Sequence, residues 1–426
     1  MPNLRVIALL AVILLLPPGA RAAPADDETV AVVGGTVLTV TQGTVTDGVI
    51  LIRDGLIAAV GPGAAVEVPE GATVIDARGR FVMPGIIDAH SHIALAWGDI
   101  NEATSPSTPQ VRMADAVVPD DYAIYCALAG GVTAAKLMHG SANVIGGLNV
   151  TVKLKYGRPL EEMLIPGVRQ QLKMALGENP KWVYGGRDLM PSTRPGVFAV
   201  LRQKLEDARH YAQQWERYRL RVEEGEDPEP PRRDLELEML ADLLRGEISI
   251  DCHCYVAHEI VTLLQIANEY DLPLLCLSHA LEAYKVADEI AALRPGISIL
   301  THTDWWGYKW EAFDAIPYQP GMLLRAGINT CIVSDSGDVI RRLYGEAAKV
   351  VGYCGVSENE ALAMITINPA RALEIDHLCG SLEVGKHADL AIFDRHPLDS
   401  FTRCVMTLIE GRVEFDIENP IIPLER

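Results

Sequence analysis

From residue 83 onward the sequence repeats one two-part pattern for nearly 300 residues: an amphipathic helical stretch beside a short apolar run of strand length. Residues 114–129 precede the run 132–138, 259–270 precede 272–277, 285–293 precede 297–301, and 321–326 precede 328–333. Strands joined through helices lie parallel, and a parallel sheet needs cover on both faces. This alternation predicts an α/β fold, a (β/α)8 TIM-like barrel over residues 83–375.

The flanks have a different texture. Residues 29–80 carry short β-rich runs (30–33, 36–40, 48–53, 56–61 and 73–76) divided by glycine-containing turns, which reads as a small antiparallel module. Sheet texture returns after Gly380, with runs at 390–393, 404–410 and 411–415. The terminal pieces, 23–82 and 376–426, are predicted to build one β-sandwich beside the barrel. Residues 197–247 are long, charged and helical, and are broken by Glu226-Asp227-Pro228-Glu229-Pro230-Pro231. That stretch exceeds an ordinary strand–helix connection and is read as a helical insert.

The first 22 residues read as a secretory signal: Arg5, an unbroken apolar run over 6–16, then Ala20-Arg21-Ala22. The expectation is an exported protein, periplasmic or secreted, with no stable membrane association after cleavage. Losing Arg5 and Arg21 takes the formal charge from -20 to -22. So acidic a chain is not expected to bind nucleic acid. The eight cysteines show no repeated Cys-x-x-Cys spacing, so neither a disulfide framework nor a cysteine metal site is expected. A homo-oligomer stays open.

In such a barrel the chemistry sits at the carboxyl ends of the strands. The run Met83-Pro84-Gly85-Ile86-Ile87-Asp88-Ala89-His90-Ser91-His92 ends with two imidazoles on one side of a strand, since side chains alternate with period two. His253 closes the run 248–255, His279 follows 272–277, and Asp335 follows 328–333. Any one of them could cap a helix. Five in register on four strands point instead to a divalent metal, with zinc favoured by imidazole ligands. A carboxylate at Asp335 suits a group that orients water, takes its proton and hands it to a leaving group.

These residues resemble the amidohydrolase superfamily of metal-dependent hydrolases, and within it the imidazolonepropionase-like and prolidase-like group. Asn368-Pro369-Ala370 and Gly380-Ser381-Leu382-Glu383-Val384-Gly385-Lys386-His387-Ala388-Asp389-Leu390 add to the similarity. The resemblance implies that His90 and His92 bind the more buried metal and that Asp335 is both ligand and general acid/base. It implies that His253 and His279 bind a second ion, or help hold a single one, and that Tyr255 contacts substrate. Many relatives bridge two metals with a carboxylated lysine or a glutamate from a middle strand. In Leu172-Lys173-Met174-Ala175-Leu176-Gly177-Glu178-Asn179 both Lys173 and Glu178 are candidates, placed by strand alternation on opposite faces.

His139, Trp305 and Trp306 are further candidates for lining a substrate pocket, and His302 lies in the same loop as the tryptophans. Gly140-Ser141-Ala142-Asn143-Val144-Ile145-Gly146-Gly147 lacks the Lys-Ser/Thr of a phosphate-binding loop. His210, His258, His377, His387 and His396 read as structural or exposed. The expected activity is hydrolysis of a C–N bond, in a cyclic or linear amide of a small molecule or short peptide, by a metal-activated water. A metallo-dipeptidase or carboxypeptidase is the second reading, with Lys309, Arg341 and Arg342 as candidate carboxylate holders. A catalytically weak metal-dependent binding protein is the third.

Overall fold

The computed structural model describes residues 29–420; the signal-like stretch 1–22 lies outside the described residues. Five strands come first: β1 (Thr29–Leu38), β2 (Thr44–Arg53), β3 (Leu56–Pro62), β4 (Thr73–Asp76) and β5 (Phe81–Pro84). Nine follow in the middle of the chain: β6 (Ile86–Ser91), β7 (Val132–Leu137), β8 (Ile145–Leu148), β9 (Val150–Lys153), β10 (Gln171–Ala175), β11 (Ser249–Cys254), β12 (Leu274–His279), β13 (Ser298–Thr301) and β14 (Asn329–Ile332). The last three are β15 (Leu390–Phe393), β16 (Cys404–Ile409) and β17 (Arg412–Asp416).

The two terminal segments share one eight-stranded sheet, ordered β17-β16-β15-β5-β1-β2-β3 with β4 on β1. It is continuous where two facing sheets were expected, and mixed where an antiparallel module was expected, since β4 and β5 run parallel to β1. The physical reason lies in β1. Its pairing with β2 shifts register on both sides of Gly35, so the first half of β1 meets β4 and the second half meets β5. Val30, Val32 and Ile50 from one end of the chain share a buried cluster with Leu390, Ile392 and Leu408 from the other.

The middle strands fall into two sheets. One has the order β14-β13-β12-β11-β10-β8, parallel from β10 to β14; the other is β6-β7-β9, with β6 and β7 parallel. Their ladders do not close into one sheet, because β8 and β9 run antiparallel to their neighbours. Single backbone bonds bridge the gap on the other side: Asp335 N–H donates to His90 O at 3.0 Å, just beyond β14 and β6. β6, β7 and β11 are buried along their whole length, as strands covered on both faces should be.

The insert is two helices, Arg194–Glu223 and Leu235–Leu244. Thr193 caps the first by accepting from Gly196 N–H, and Pro195 fits the first turn, where no amide donor is needed. Val197, Val200, Leu201, Leu205, Ala208 and Tyr211 recur every three to four residues and bury one stripe. Beyond Tyr211 the helix is largely exposed, and the proline-rich stretch 224–234 separates it from the next helix, capped by Asp234.

Candidate active site

Three imidazoles converge on one carboxylate. Nε2 of His92 lies 3.2 Å from Asp335 Oδ1, Nε2 of His90 lies 3.6 Å from the same oxygen, and Nε2 of His279 lies 4.0 Å from Oδ2. Ligand atoms of His90, His279 and Asp335 all fall within 4.8 Å of one another. His253 joins them, its ring centroid 4.6 Å from that of His279.

The ring nitrogens facing away from Asp335 are held. His90 Nδ1 meets Ser278 Oγ at 2.9 Å, His92 Nδ1 donates to Met138 O at 2.8 Å, and His279 Nδ1 meets His302 Nε2 at 3.0 Å. His302 bonds Val333 O at 3.2 Å and stacks on Trp305, ring centroids 4.0 Å apart. His253 differs: it is buried, and neither of its ring nitrogens has a protein partner. A buried imidazole left unbonded loses hydration without compensation, which suits a group that spends its lone pair on an added ligand.

Burial holds His90, His253 and His279 well below the ordinary histidine range, helped for His90 by the Lys173 charge. All three are therefore neutral, the form that binds metal. Burial works to raise Asp335, but the His92 bond and the charges around it outweigh burial and keep it an anion below its usual range. Neutral imidazoles around an anionic carboxylate are a donor set that fits zinc or a similar divalent ion.

Of the two bridging candidates, Lys173 lies in β10, is fully buried, and is pushed down by burial while Asp251 and Asp335 attract its charge. Glu178 is elsewhere in the local geometry. The strand stops at Ala175, Gly177 turns with φ of 78°, and Glu178 opens the helix Glu178–Gly185, so strand alternation does not extend to it. Its carboxylate faces Lys309 Nζ at 3.7 Å.

Tyr255 and Tyr308 meet hydroxyl to hydroxyl at 2.5 Å beside His253, with Lys309 Nζ 3.8 Å above the Tyr255 ring. Burial pushes both phenols up, so both keep their protons. Two protons and one mutual bond leave one O–H for a substrate oxygen. Lys309 also faces Glu311 at 3.6 Å and donates to Asn179 at 3.1 Å.

Trp305 and Trp306 line a cavity together with His302, whereas the ring nitrogens of His139 are taken up by backbone groups. His139 accepts from Glu102 N–H through Nε2 at 3.1 Å and bonds Gly140 O through Nδ1 at 2.9 Å, so both nitrogens are spent joining its own loop to the one that carries Glu102. Trp305 stacks on His302, and Trp306, 63% exposed, donates to Phe313 O at 2.7 Å. Arg341 and Arg342 pair with Asp338 in an exposed helical turn and do not join the histidines. Sequence reasoning missed Lys136 and Ser278. A lysine inside Val132-Thr133-Ala134-Ala135-Lys136-Leu137 is the signal that could have found the first, because a charge in a buried strand demands a partner.

Residues 251–419 match the sequence profile of the amidohydrolase family. A solved amidohydrolase from Thermotoga maritima MSB8 superimposes with a TM-score of 0.83 at 33% identity, covering 91% of this chain and 100% of that one. Amidohydrolase tasK of Hapsidospora irregularis is 32% identical over 400 residues, 88% of this chain and 40% of that protein. The chain thus spans well under half the length of that relative. An adenosine deaminase from Xanthomonas campestris, solved with bound zinc, shares the fold at a TM-score of 0.54 and 17% identity, covering 93% of this chain and 94% of that one.

Proposed function

The chain belongs to the amidohydrolase family of hydrolases acting on carbon–nitrogen bonds, and from that premise we propose that it is a metal-dependent enzyme cleaving a cyclic or linear amide in a small molecule or short peptide. The observation that carries this reading is the convergence of His90, His92 and His279 on Asp335, with His253 beside them lacking any partner. His90, His92, His253, His279 and Asp335 would hold the ion, with Lys173, carboxylated or not, as the candidate between two ions. When bound, a divalent ion such as zinc supplies Lewis acidity, polarising a carbonyl and making water acidic enough to attack near neutral pH.

The chain's own residues supply the rest. Asp335, an anion within 3.2 Å of His92 Nε2, accepts the proton of the attacking water and returns it to the leaving nitrogen. The free O–H of the Tyr255–Tyr308 pair donates to a substrate oxygen. Trp305, His302 and His279 form a stacked series that holds the pocket wall. Lys309, over the Tyr255 ring, favours substrates with a carboxylate near the scissile bond, which is the feature behind a dipeptidase reading. We also read the two central sheets as one interrupted (β/α)8 barrel, and the start of the chain as an export signal, which favours scavenged peptides and amides as substrates.

The test is elemental analysis of purified protein, followed by a screen of N-acyl amino acids, dipeptides and cyclic amides with and without a chelator. The reading expects bound zinc and chelator-sensitive turnover in at least one class. Turnover indifferent to metal removal would contradict it.

A further inference from the structure

We propose that Lys136, Asp251 and Ser278 form a buried positioning relay that fixes His90 in its Nδ1–H tautomer and turns the Nε2 lone pair toward Asp335. Lys136 Nζ donates to Asp251 Oδ2 at 2.5 Å and to Gln171 Oε1 at 2.7 Å. Ser278 Oγ donates to Asp251 Oδ1 at 2.6 Å, and His90 Nδ1 lies 2.9 Å from the same Oγ. Lys136, Asp251 and Ser278 are fully buried and His90 is 1% exposed, so water does not offer substitutes.

The direction of each bond follows from what each group can do. An ammonium only donates, and a carboxylate only accepts. Asp251 is ion-paired with the Lys136 ammonium through Oδ2, which leaves Oδ1 to accept from Ser278. The Ser278 proton is therefore spent on Asp251, and Ser278 can only accept from the ring. His90 must then carry its proton on Nδ1, which frees Nε2. The opposite arrangement would leave an oxygen of a buried anion without its donor.

The sequence places the relay across four strands. Lys136 lies in β7, Gln171 in β10, Asp251 in β11 and Ser278 in β12, while His90 lies in β6. Hydrogen bonds thus span the interior between the two central sheets, where no ladder joins them. Burying a lysine–aspartate pair is costly, and apolar residues would serve packing alone as well. The pair stands where one ring needs a defined orientation. These three are positioning residues; none is a proposed ligand.

The consequence for metal holding rests on the function proposed above, but the tautomer does not. The test uses full-length protein with 15N-labelled histidine, stripped of metal with a chelator, at pH 8. Long-range proton–nitrogen correlation reads the tautomer, and His90→Asn assigns the signal by its loss. The relay predicts Nδ1–H in the unmodified protein, mixed tautomers in Ser278→Ala, and Nδ1–H again in Ser278→Thr. A zinc titration alongside is expected to show about 10–100-fold weaker binding in Ser278→Ala. A wild-type His90 protonated on Nε2 overturns the relay, whether or not any variant folds. Pure Nδ1–H in Ser278→Ala overturns it as well. If the tautomer follows Ser278 while the wild-type protein takes up no zinc, the relay stands and the metal reading falls.

Discussion

The backbone N–H of Asp335 donates to the carbonyl of His90 at 3.0 Å, joining the residues after β14 to the end of β6. Asp335 adopts a left-handed φ of 46°, uncommon outside glycine. That turn aims its carboxylate back at His92 and His90, so one strained residue brings a proton acceptor and two imidazoles together.

Replacing Asp335 by Asn keeps the size of the side chain and removes its charge. The fold is expected to persist, and kcat to fall by about 100- to 10,000-fold on the best substrate from the screen. Steady-state kinetics with circular dichroism as a folding control measures this. Unchanged turnover with normal metal content would show that Asp335 does not move the proton.

Lys173 and Glu178 separate by metal content. Lys173 is buried in β10 near Asp335 and Asp251, whereas Glu178 opens a helix and faces Lys309. Lys173→Ala is expected to lose zinc relative to the unmodified protein, and Glu178→Ala to keep it. Elemental analysis of both variants decides the matter, and retention of zinc in Lys173→Ala would eliminate the lysine as a bridge.

Gly85 has no room for a side chain. A Cβ there would overlap Thr133, which is buried in β7 and cannot swing away without moving its strand. Gly85→Ala is expected to cost about 1–3 kcal/mol, visible as a lower Tm. An unchanged Tm would mean that β6 and β7 pack less closely than the structure has it.

Acid should weaken the fold before the carboxylates titrate. Burial keeps His90, His253, His279 and His302 below the ordinary value of 6.5. The unfolded chain therefore takes up protons first as pH falls through 6.5, and their neutral-form stability is progressively lost below that point. Denaturant midpoints of metal-stripped protein from pH 8 to 5 should drop steadily below about 6.5. A flat profile down to pH 5 would show that these rings are not buried as neutral groups.

Much of this was readable because the signals were periodic. The strand-end positions of His90, His92, His253, His279 and Asp335 follow from apolar runs of strand length, and the structure gathers His90, His92, His279 and Asp335 within contact of one another. What was not readable depends on where a strand stops or which neighbour a group finds. Glu178 was counted along a strand that ends three residues earlier, because Gly177 turns the chain. His139 carried the right chemistry, but its ring nitrogens bond Glu102 N–H and Gly140 O, partners that only the folded loops supply. The terminal sheet was expected to be antiparallel because its runs are short and turn-bounded; the bulge at Gly35 that lets β1 meet both β4 and β5 leaves no such mark.

The proposed chemistry requires that the four histidines and Asp335 hold metal. The most direct measurement is zinc stoichiometry of stripped and reloaded protein, compared with the double variant His90→Asn/His279→Asn. One or two equivalents per chain are expected, falling below a tenth of that in a variant that remains folded. Equal zinc content in the two proteins, or none in the unmodified one, would contradict the metal centre proposed here.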